Sequence, residues 1–398
     1  RKTGREYQIT GSFREWRNID YAWSFICSEH LILIHSSGLQ EESAVETVHT
    51  CRSPLCYCKK YRLKFTMEPI IKTVEGGTYL NDLLLRSFNN NEYVRIIASE
   101  KDSATEIGKG CFLPKRFLDI ERQIREMEVR EDDIWVVTFP KSGTTWAQEM
   151  VWCLCNNLDF DEAKSTKLPI RFPFLEFSAF MTPNDQIPEA LKNSVDYVKN
   201  LTSPRYIKTH LPWELLPQQL KTKKPKIIYV ARNPKDVCVS FFHQVLRRGV
   251  FSGSLEDMAD LFLGDNTTMA PFWDHILTFW NHRKDSNILF ITYEDMKKDL
   301  PSIVNKVNNF LEKKPLTPES LSKICSHLSF ESMKENHSVN YKFWKKEDVT
   351  EKSKGSEINF MRKGKVGSWK EEMKPEIWKR FDRWTEENLR DSDFSFSS

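Results

Sequence analysis

Apolar positions along the chain change period. From about residue 113, short runs rich in β-branched residues alternate with longer stretches whose apolar positions recur every three or four residues, which is how strands alternating with helices are written. Ile134–Phe139 is a continuous apolar run of strand length. Trp146, Met150, Val151 and Leu154 follow at helical spacing up to Asn156 and Asn157. Tyr206–Thr209, Ile227–Ala231 and Ile288–Thr292 are three more strand candidates, each followed by polar or proline-containing turn material and then a helical stretch. Successive strands separated by helices need crossover connections, so the pattern predicts an α/β fold with a central, mostly parallel sheet flanked by helices. No internal repeat is visible.

Residues 1–66 show no sustained period and are read as an N-terminal extension, with residues 67–398 as the functional domain. The best apolar run of the extension, Leu31–Ile34, is too short and too late for a secretory signal. No methionine precedes Met67, which gives the expectation that the functional polypeptide begins there. His49, Cys51, Cys56 and Cys58 lie close together but lack the paired C-x2-C spacing of a zinc site, so no metal is expected. Cys111, Cys153, Cys155, Cys238 and Cys325 form no disulfide framework and suit a reducing, cytoplasmic setting. Between the two parts, Glu75, Gly76 and Gly77 followed by Leu80, Leu83 and Leu84 read as either a lid or a surface helix.

Composition narrows the class. With 39% hydrophobic and 29% charged residues, the 398-residue chain is neither collagen-like nor globally disordered. No stretch approaches the roughly 20 apolar residues of a membrane span, so no membrane association is expected. The 59 basic residues nearly balance 56 acidic ones, and the excess falls in residues 1–66, which hold ten basic and seven acidic. The rest has no basic face, which argues against nucleic acid as a partner and makes any anion site a local arrangement.

Four segments offer such arrangements. Lys141, Ser142, Gly143, Thr144, Thr145 and Trp146 link the strongest strand to a helix, where unpaired backbone N–H groups and the helix dipole attract an anion. Lysine precedes the glycine here, unlike the G-x4-G-K-[ST] loop of nucleotide triphosphatases, so a kinase reading fails. Lys208, Thr209 and His210 close a short strand at the end where open α/β sheets bind ligands, and an imidazole there suits proton abstraction at neutral pH; packing alone is the bland alternative for His210. Arg232, Asn233 and Pro234 place a guanidinium at a second helix start, with Ser240 further along. Arg362, Lys363, Gly364 and Lys365 make a basic, glycine-punctuated loop that could clamp a phosphate or be simply solvated.

FPKSGTTW, KTHLP, YVARNPKDVCVS, ITYEDM and MRKGKVGSWK, in this order over residues 113 to 385, resemble the cytosolic sulfotransferases. The resemblance implies a P-loop-like nucleotide-binding sulfotransferase fold over residues 67–398. It also implies transfer of a sulfuryl group from 3'-phosphoadenosine 5'-phosphosulfate (PAPS), without a metal, to the hydroxyl of a phenol or alcohol. Carried over by motif, Lys141, Ser142, Gly143, Thr144 and Thr145 hold the 5'-phosphosulfate and Trp146 stacks on adenine. Arg232, Ser240, Arg362, Lys363 and Gly364 take the 3'-phosphate, and Tyr293, Ser329 and Phe330 complete the adenosine pocket. His210 is then the general base, with Lys141, Lys208 and Ser240 stabilising the transferred and leaving oxygens.

Phe174 and Phe177, beside Lys208 and His210, are the candidate walls for a small hydrophobic acceptor, with Phe180 and Met181 continuing them; core packing is their other reading. The chain departs from the family pattern at Ser368, where an aspartate is usual and a looser loop is expected. It departs again at Lys374, Pro375 and Lys379, where many relatives carry a dimer signature, which leaves a homodimer open. An active transferase and a silent pocket protein that sequesters a hydrophobic ligand are the two functional readings; the presence of His210, Lys141 and Lys208 favours the first.

Overall fold

The computed structural model describes residues 23–27, 30–34, 70–73, 93–97, 110–181, 188–341 and 360–396. The chain divides into two compact units, Arg1–Met67 and Glu68–Ser398. In the first, β1 (Trp23–Cys27) and β2 (His30–Ile34) form an antiparallel pair with Trp23 opposite Ile34 and Cys27 opposite His30. The aperiodic reading of residues 1–66 thus overlooks a hairpin: the Leu31–Ile34 run pairs with a segment whose Trp23, Phe25 and Ile26 are strand-forming residues. The cysteine cluster around His49 and the Glu75–Leu84 stretch lie outside the described residues.

The second unit contains a three-stranded antiparallel sheet of β3 (Ile70–Thr73), β4 (Tyr93–Ile97) and β5 (Cys111–Pro114), with β4 in the middle. Its main sheet has β6 (Ile134–Thr138), β7 (Tyr206–Thr209), β8 (Lys226–Ala231) and β9 (Ile288–Thr292), all parallel, in the order β7-β6-β8-β9. Every residue of β6 is buried, which is why the run is apolar without alternation. Its side chains still go alternately to two cores. Trp135 and Val137 pack with Ile227, Tyr229 and Phe290 on one face, and Val136 packs with Ile228, Val230 and Ile291 on the other.

Helices cover both faces, as the sequence predicts. α1 (Thr144–Cys155) and α4 (Leu300–Phe310) bury Met150, Val151, Ile303 and Val307 in the second core. α2 (Pro234–Arg247), α3 (Phe272–Asn281) and α5 (Pro375–Leu389) bury Val237, Phe241, Ile276, Phe279 and Phe381 in the first. From β6 the chain moves to β7 on one side and then crosses back to β8 on the other. Such a reversal of strand order opens a crevice at the carboxyl ends of the strands. At the opposite ends of β6 and β7, buried Arg205 grips Asp133 with two hydrogen bonds of 2.7 and 2.6 Å. The cysteines at 111, 153, 155, 238 and 325 are free, and among the described residues no helix is long and apolar enough to cross a membrane.

Candidate active site

The chain leaves β6 and enters α1 within five residues, and the turn needs two left-handed positions, Lys141 at φ 71° and Gly143 at φ 101°. Only glycine fits the second: a Cβ there would sit 2.7 Å from Cδ2 of Tyr293. Among the described residues two buried donors lack a partner at this turn, the Ser142 hydroxyl and Nε of Arg232. Leaving such groups unpaired is costly, and an anion's oxygens would satisfy both, so the residues present fit a phosphate-bearing ligand. Arg232 itself is fixed by donating Nη1 to the Lys141 carbonyl at 3.2 Å and Nη2 to the Lys365 carbonyl at 3.3 Å, with its guanidinium 4.1 Å over the Tyr293 ring. Lys141 Nζ donates to Gln244 Oε1 at 3.4 Å and lies 4.5 Å over the Phe360 ring. Burial pushes its ammonium down to about 7, and the charges of Arg247, Lys208, Arg232 and Arg362 push the same way. Four cations from three segments therefore converge on this lysine.

The basic loop joins this group through α2. Asp236, in the first turn of α2, accepts the backbone N–H of Gly367 at 2.7 Å, the Ser368 hydroxyl at 3.0 Å and the N–H of Trp369 at 3.2 Å. The looser loop expected at Ser368 is not what forms, because the serine hydroxyl is one of its three fastenings. Arg362 pairs with Glu372, and Lys363 Nζ donates to Glu371 at 2.7 Å and Glu372 at 3.0 Å, so both cations are already engaged by carboxylates. Gly364, at φ 60°, lies so close to Phe330 that a Cβ would fall 2.2 Å from the ring. Trp146 meets Tyr293 edge to face at 5.6 Å and donates its indole N–H to the Leu328 carbonyl at 2.9 Å. The next residue, Ser329, is exposed and caps the helix Phe330–Glu335 by accepting the N–H of Ser332. Thr145 lies in hydrogen-bond contact with Tyr341. Ser240 is half-buried on α2, one turn beyond Asp236 and one before Gln244.

His210 follows β7 directly and is buried. Its Nδ1 lies 2.7 Å from the carbonyl oxygen of Thr138. A carbonyl only accepts, so Nδ1 carries the proton and Nε2 is the nitrogen with a free lone pair. Burial holds the ring well below the usual histidine range, with Lys208 the next cause. The Thr138 hydroxyl contacts Nδ1 at 3.1 Å and the Thr144 hydroxyl at 2.7 Å, which couples the imidazole to the start of α1. The backbone of His210 is held from both sides. Its N–H donates to Glu176 Oε1 at 2.6 Å, and its carbonyl accepts from His275 Nε2 at 2.9 Å. His275 must therefore be protonated at Nε2, and its Nδ1 accepts from the Tyr229 hydroxyl at 2.8 Å.

Next to β7 the segment Pro173–Leu175 adds a short parallel bridge: Lys208 N–H donates to the Pro173 carbonyl and Leu175 N–H to the Lys208 carbonyl, both at 2.8 Å. This sets Phe174 beside Lys208, whose Nζ sits 4.3 Å over the ring, and 5.1 Å from the His210 ring. Phe177 and Phe180 lie 6.1 and 5.8 Å from Phe174, so the three half-buried rings form one cluster. Burial also pushes Lys208 down to about 8, against the pull of Glu176.

Sequence reasoning missed Thr138, Glu176, Tyr229, Asp236, Gln244, Arg247 and His275. Glu176 and Asp236 stand inside recognisable motifs and are acidic in apolar surroundings, a signal available from the sequence; Tyr229 and His275 lie in apolar runs and give none.

A crevice at strand ends that gathers cations and unsatisfied donors beside an imidazole with a fixed tautomer fits an enzyme that moves an anionic group from a phosphate-bearing donor. The chain belongs to the sulfotransferase family, whose domain model matches residues 131–393, and it is a PAPS-dependent sulfotransferase. It is 38% identical to the luciferin sulfotransferase of Photinus pyralis over 336 residues, 81% of this chain and 88% of that protein. With the amine sulfotransferase of Oryctolagus cuniculus it shares 36% over 292 residues, 72% of this chain and 91% of that one. Among solved structures, retinol dehydratase in complex with androsterone and the inactive cofactor PAP superposes with a TM-score of 0.72 at 28% identity, over 83% of this chain and 99% of that one.

Proposed function

We propose that the chain transfers the sulfuryl group of PAPS to the hydroxyl of a small hydrophobic phenol or alcohol, with His210 as general base. The observation that carries the reading is the Nδ1–H of His210 donated to the Thr138 carbonyl, which turns an unprotonated Nε2 toward proton abstraction. A ring kept well below the ordinary histidine range by burial and by Lys208 is neutral at pH 7 and ready to accept that proton. Lys141, with the Ser142–Thr145 turn, would hold the 5'-phosphosulfate and meet the charge that develops on the leaving oxygen; Lys208 and Ser240 complete the donors around the transferred group. Arg232, Ser240, Arg362, Lys363 and Gly364 would bind the 3'-phosphate, and Trp146, Tyr293, Ser329 and Phe330 the adenosine. For Arg362 and Lys363 this requires sharing donors now given to Glu371 and Glu372. Phe174 and Phe177 would wall the acceptor. Support for a hydrophobic acceptor comes from their position against Lys208 and His210, and from the related retinol dehydratase bound to androsterone.

Label transfer from radioactive PAPS to a panel of phenols and alcohols tests the proposal. Labelled products with hydroxyl acceptors are expected; binding of the panel without transfer to any member overturns it.

A further inference from the structure

One cation at the site is left over once the donor's ligands are assigned. Arg247 is half-buried in the last turn of α2, and its Nε is buried without a hydrogen-bond partner among the described residues. It makes no ion pair among the described residues. Among the described residues its favourable electrostatic neighbour is Tyr341 rather than a carboxylate, so the half-buried guanidinium has an open donor to offer an anion.

Its place on α2 says which anion. The helix begins at Arg232 and Asn233, where the donor's 3'-phosphate is assigned, and Ser240, assigned to both the 3'-phosphate and the group in transfer, follows. The inner face continues at one-turn intervals: Asp236 holds the basic loop, Gln244 accepts from Lys141, and Arg247 follows. Arg247 lies seven residues past Ser240, about 10 Å along the axis on the side away from the 3'-phosphate end. There it shares the Phe360 ring with Lys141: the lysine Nζ is 4.5 Å and the guanidinium carbon 5.6 Å from the ring centroid. On the proposed reading of the site, positions beyond the transferred group face the acceptor. Burial holds the Arg247 guanidinium below its usual range, and its neighbour Arg248 adds to the strain of its charge.

We propose that Arg247 is a specificity-determining residue that binds a carboxylate, or a similar anionic group, on an acceptor whose hydroxyl faces His210. This rests on the reading of the site as one for hydroxylated acceptors and narrows it: the acceptor carries an aromatic or aliphatic body between a hydroxyl and an anion. The planar guanidinium fork matches a carboxylate with two parallel hydrogen bonds, and the Phe360 face backs it. A neutral acceptor of the same shape leaves that guanidinium unpaired.

The test compares para-hydroxyphenylpropionate with para-propylphenol, which share shape and hydroxyl and differ in charge. Their affinities for the full chain saturated with adenosine 3',5'-bisphosphate are read from tryptophan fluorescence, so no turnover is needed. Wild type is expected to favour the carboxylate by about tenfold or more, the scale of a hydrogen bond to a charged group. Arg247→Gln should collapse that ratio toward one and Arg247→Lys should restore part of it. Equal affinities in wild type, a ratio unchanged in Arg247→Gln, or a variant whose main defect is weaker bisphosphate binding each overturns the proposal. Label transfer from radioactive PAPS to the same two phenols is scored separately. A charge preference in binding with no transfer to either phenol supports the anion site while defeating the transferase reading, and transfer to both without a charge preference does the reverse.

Discussion

The carboxylate of Glu176 bridges two successive residues of the sheet edge, accepting the Thr209 hydroxyl at 2.8 Å and the backbone N–H of His210 at 2.6 Å. Burial pushes its carboxyl up from 4.5 to about 7, against the hydrogen bonds from His210 and Thr209. A carboxyl raised in this way contributes stability that is fully present below 4.5, where it is protonated in both states, and lost as the pH rises through 7. Relative to Glu176→Gln, which does not titrate, wild type should lose stability across that window, on the order of 1.4 kcal/mol per pH unit at most. Urea unfolding of both proteins from pH 4 to 8 measures it, and a difference that does not vary with pH contradicts it.

His210→Ala should lose activity on the order of 100-fold to 10,000-fold, the usual contribution of a positioned general base. Because the ring reaches the β6–α1 turn through the Thr138 hydroxyl, which keeps its contact with Thr144, affinity for adenosine 3',5'-bisphosphate should be kept. Turnover within a few-fold of wild type would remove His210 from its assigned role.

Lys141 gives a pH dependence of the same sign in a higher window. Its ammonium titrates near 7 because burial and four cationic neighbours disfavour the charge, and an anion binds the charged form. Affinity for adenosine 3',5'-bisphosphate should be flat below pH 7 and fall above it, by up to about tenfold per unit. Lys141→Arg, charged throughout, should be flat. Isothermal titration in buffers of different ionisation enthalpy should also show proton uptake by wild type above pH 7; none is expected from the variant.

Two glycines with positive φ separate strain at the site from strain elsewhere. Gly364→Ala puts a methyl 2.2 Å from Phe330, so it should weaken bisphosphate binding by about tenfold or more by moving the loop. Gly249 has φ 63° and nothing within 4 Å of where a Cβ would stand, so Gly249→Ala should cost about 1 kcal/mol of stability and leave that affinity alone. Equal binding defects in the two variants would place the cause in the backbone rather than in the Phe330 contact.

At the far ends of the strands, Asp133→Ala should destabilise the protein by about 3–5 kcal/mol, because it strands buried Arg205 without its carboxylate. The protein that remains folded should keep its transfer rate, since the pair lies at the end of the sheet away from the crevice. Thermal unfolding and activity per folded molecule, read together, check both halves.

Much of this arrangement is legible in the sequence. Tyr206–Thr209 and Ile288–Thr292 form strands with the bounds their composition indicates, and the Ile134 run forms one to Thr138, with Phe139 already in the turn. The motif residues of the turn, of β7 and of α2 do converge. What stays hidden has a common physical cause. Glu176, Tyr229 and His275 act on His210 from 34, 19 and 65 residues away, respectively, in the chain, and only the sheet order and the bridge at Phe174 bring them together. The partners of Arg362 and Lys363 are likewise unreadable, because Glu371 and Glu372 look like an ordinary solvated pair until the loop is tied to Asp236. The β1–β2 hairpin escapes notice because five-residue strands without alternation leave no period to detect.

The partner that fixes the tautomer of His210 is a main-chain oxygen. Replacing the Thr138 side chain cannot delete it, so the ring's readiness to take a proton is inherited with the backbone path itself. A change of the Thr138 side chain therefore leaves that tautomer in place, whereas a one-residue slip between β6 and β7 would abolish it while leaving every motif intact.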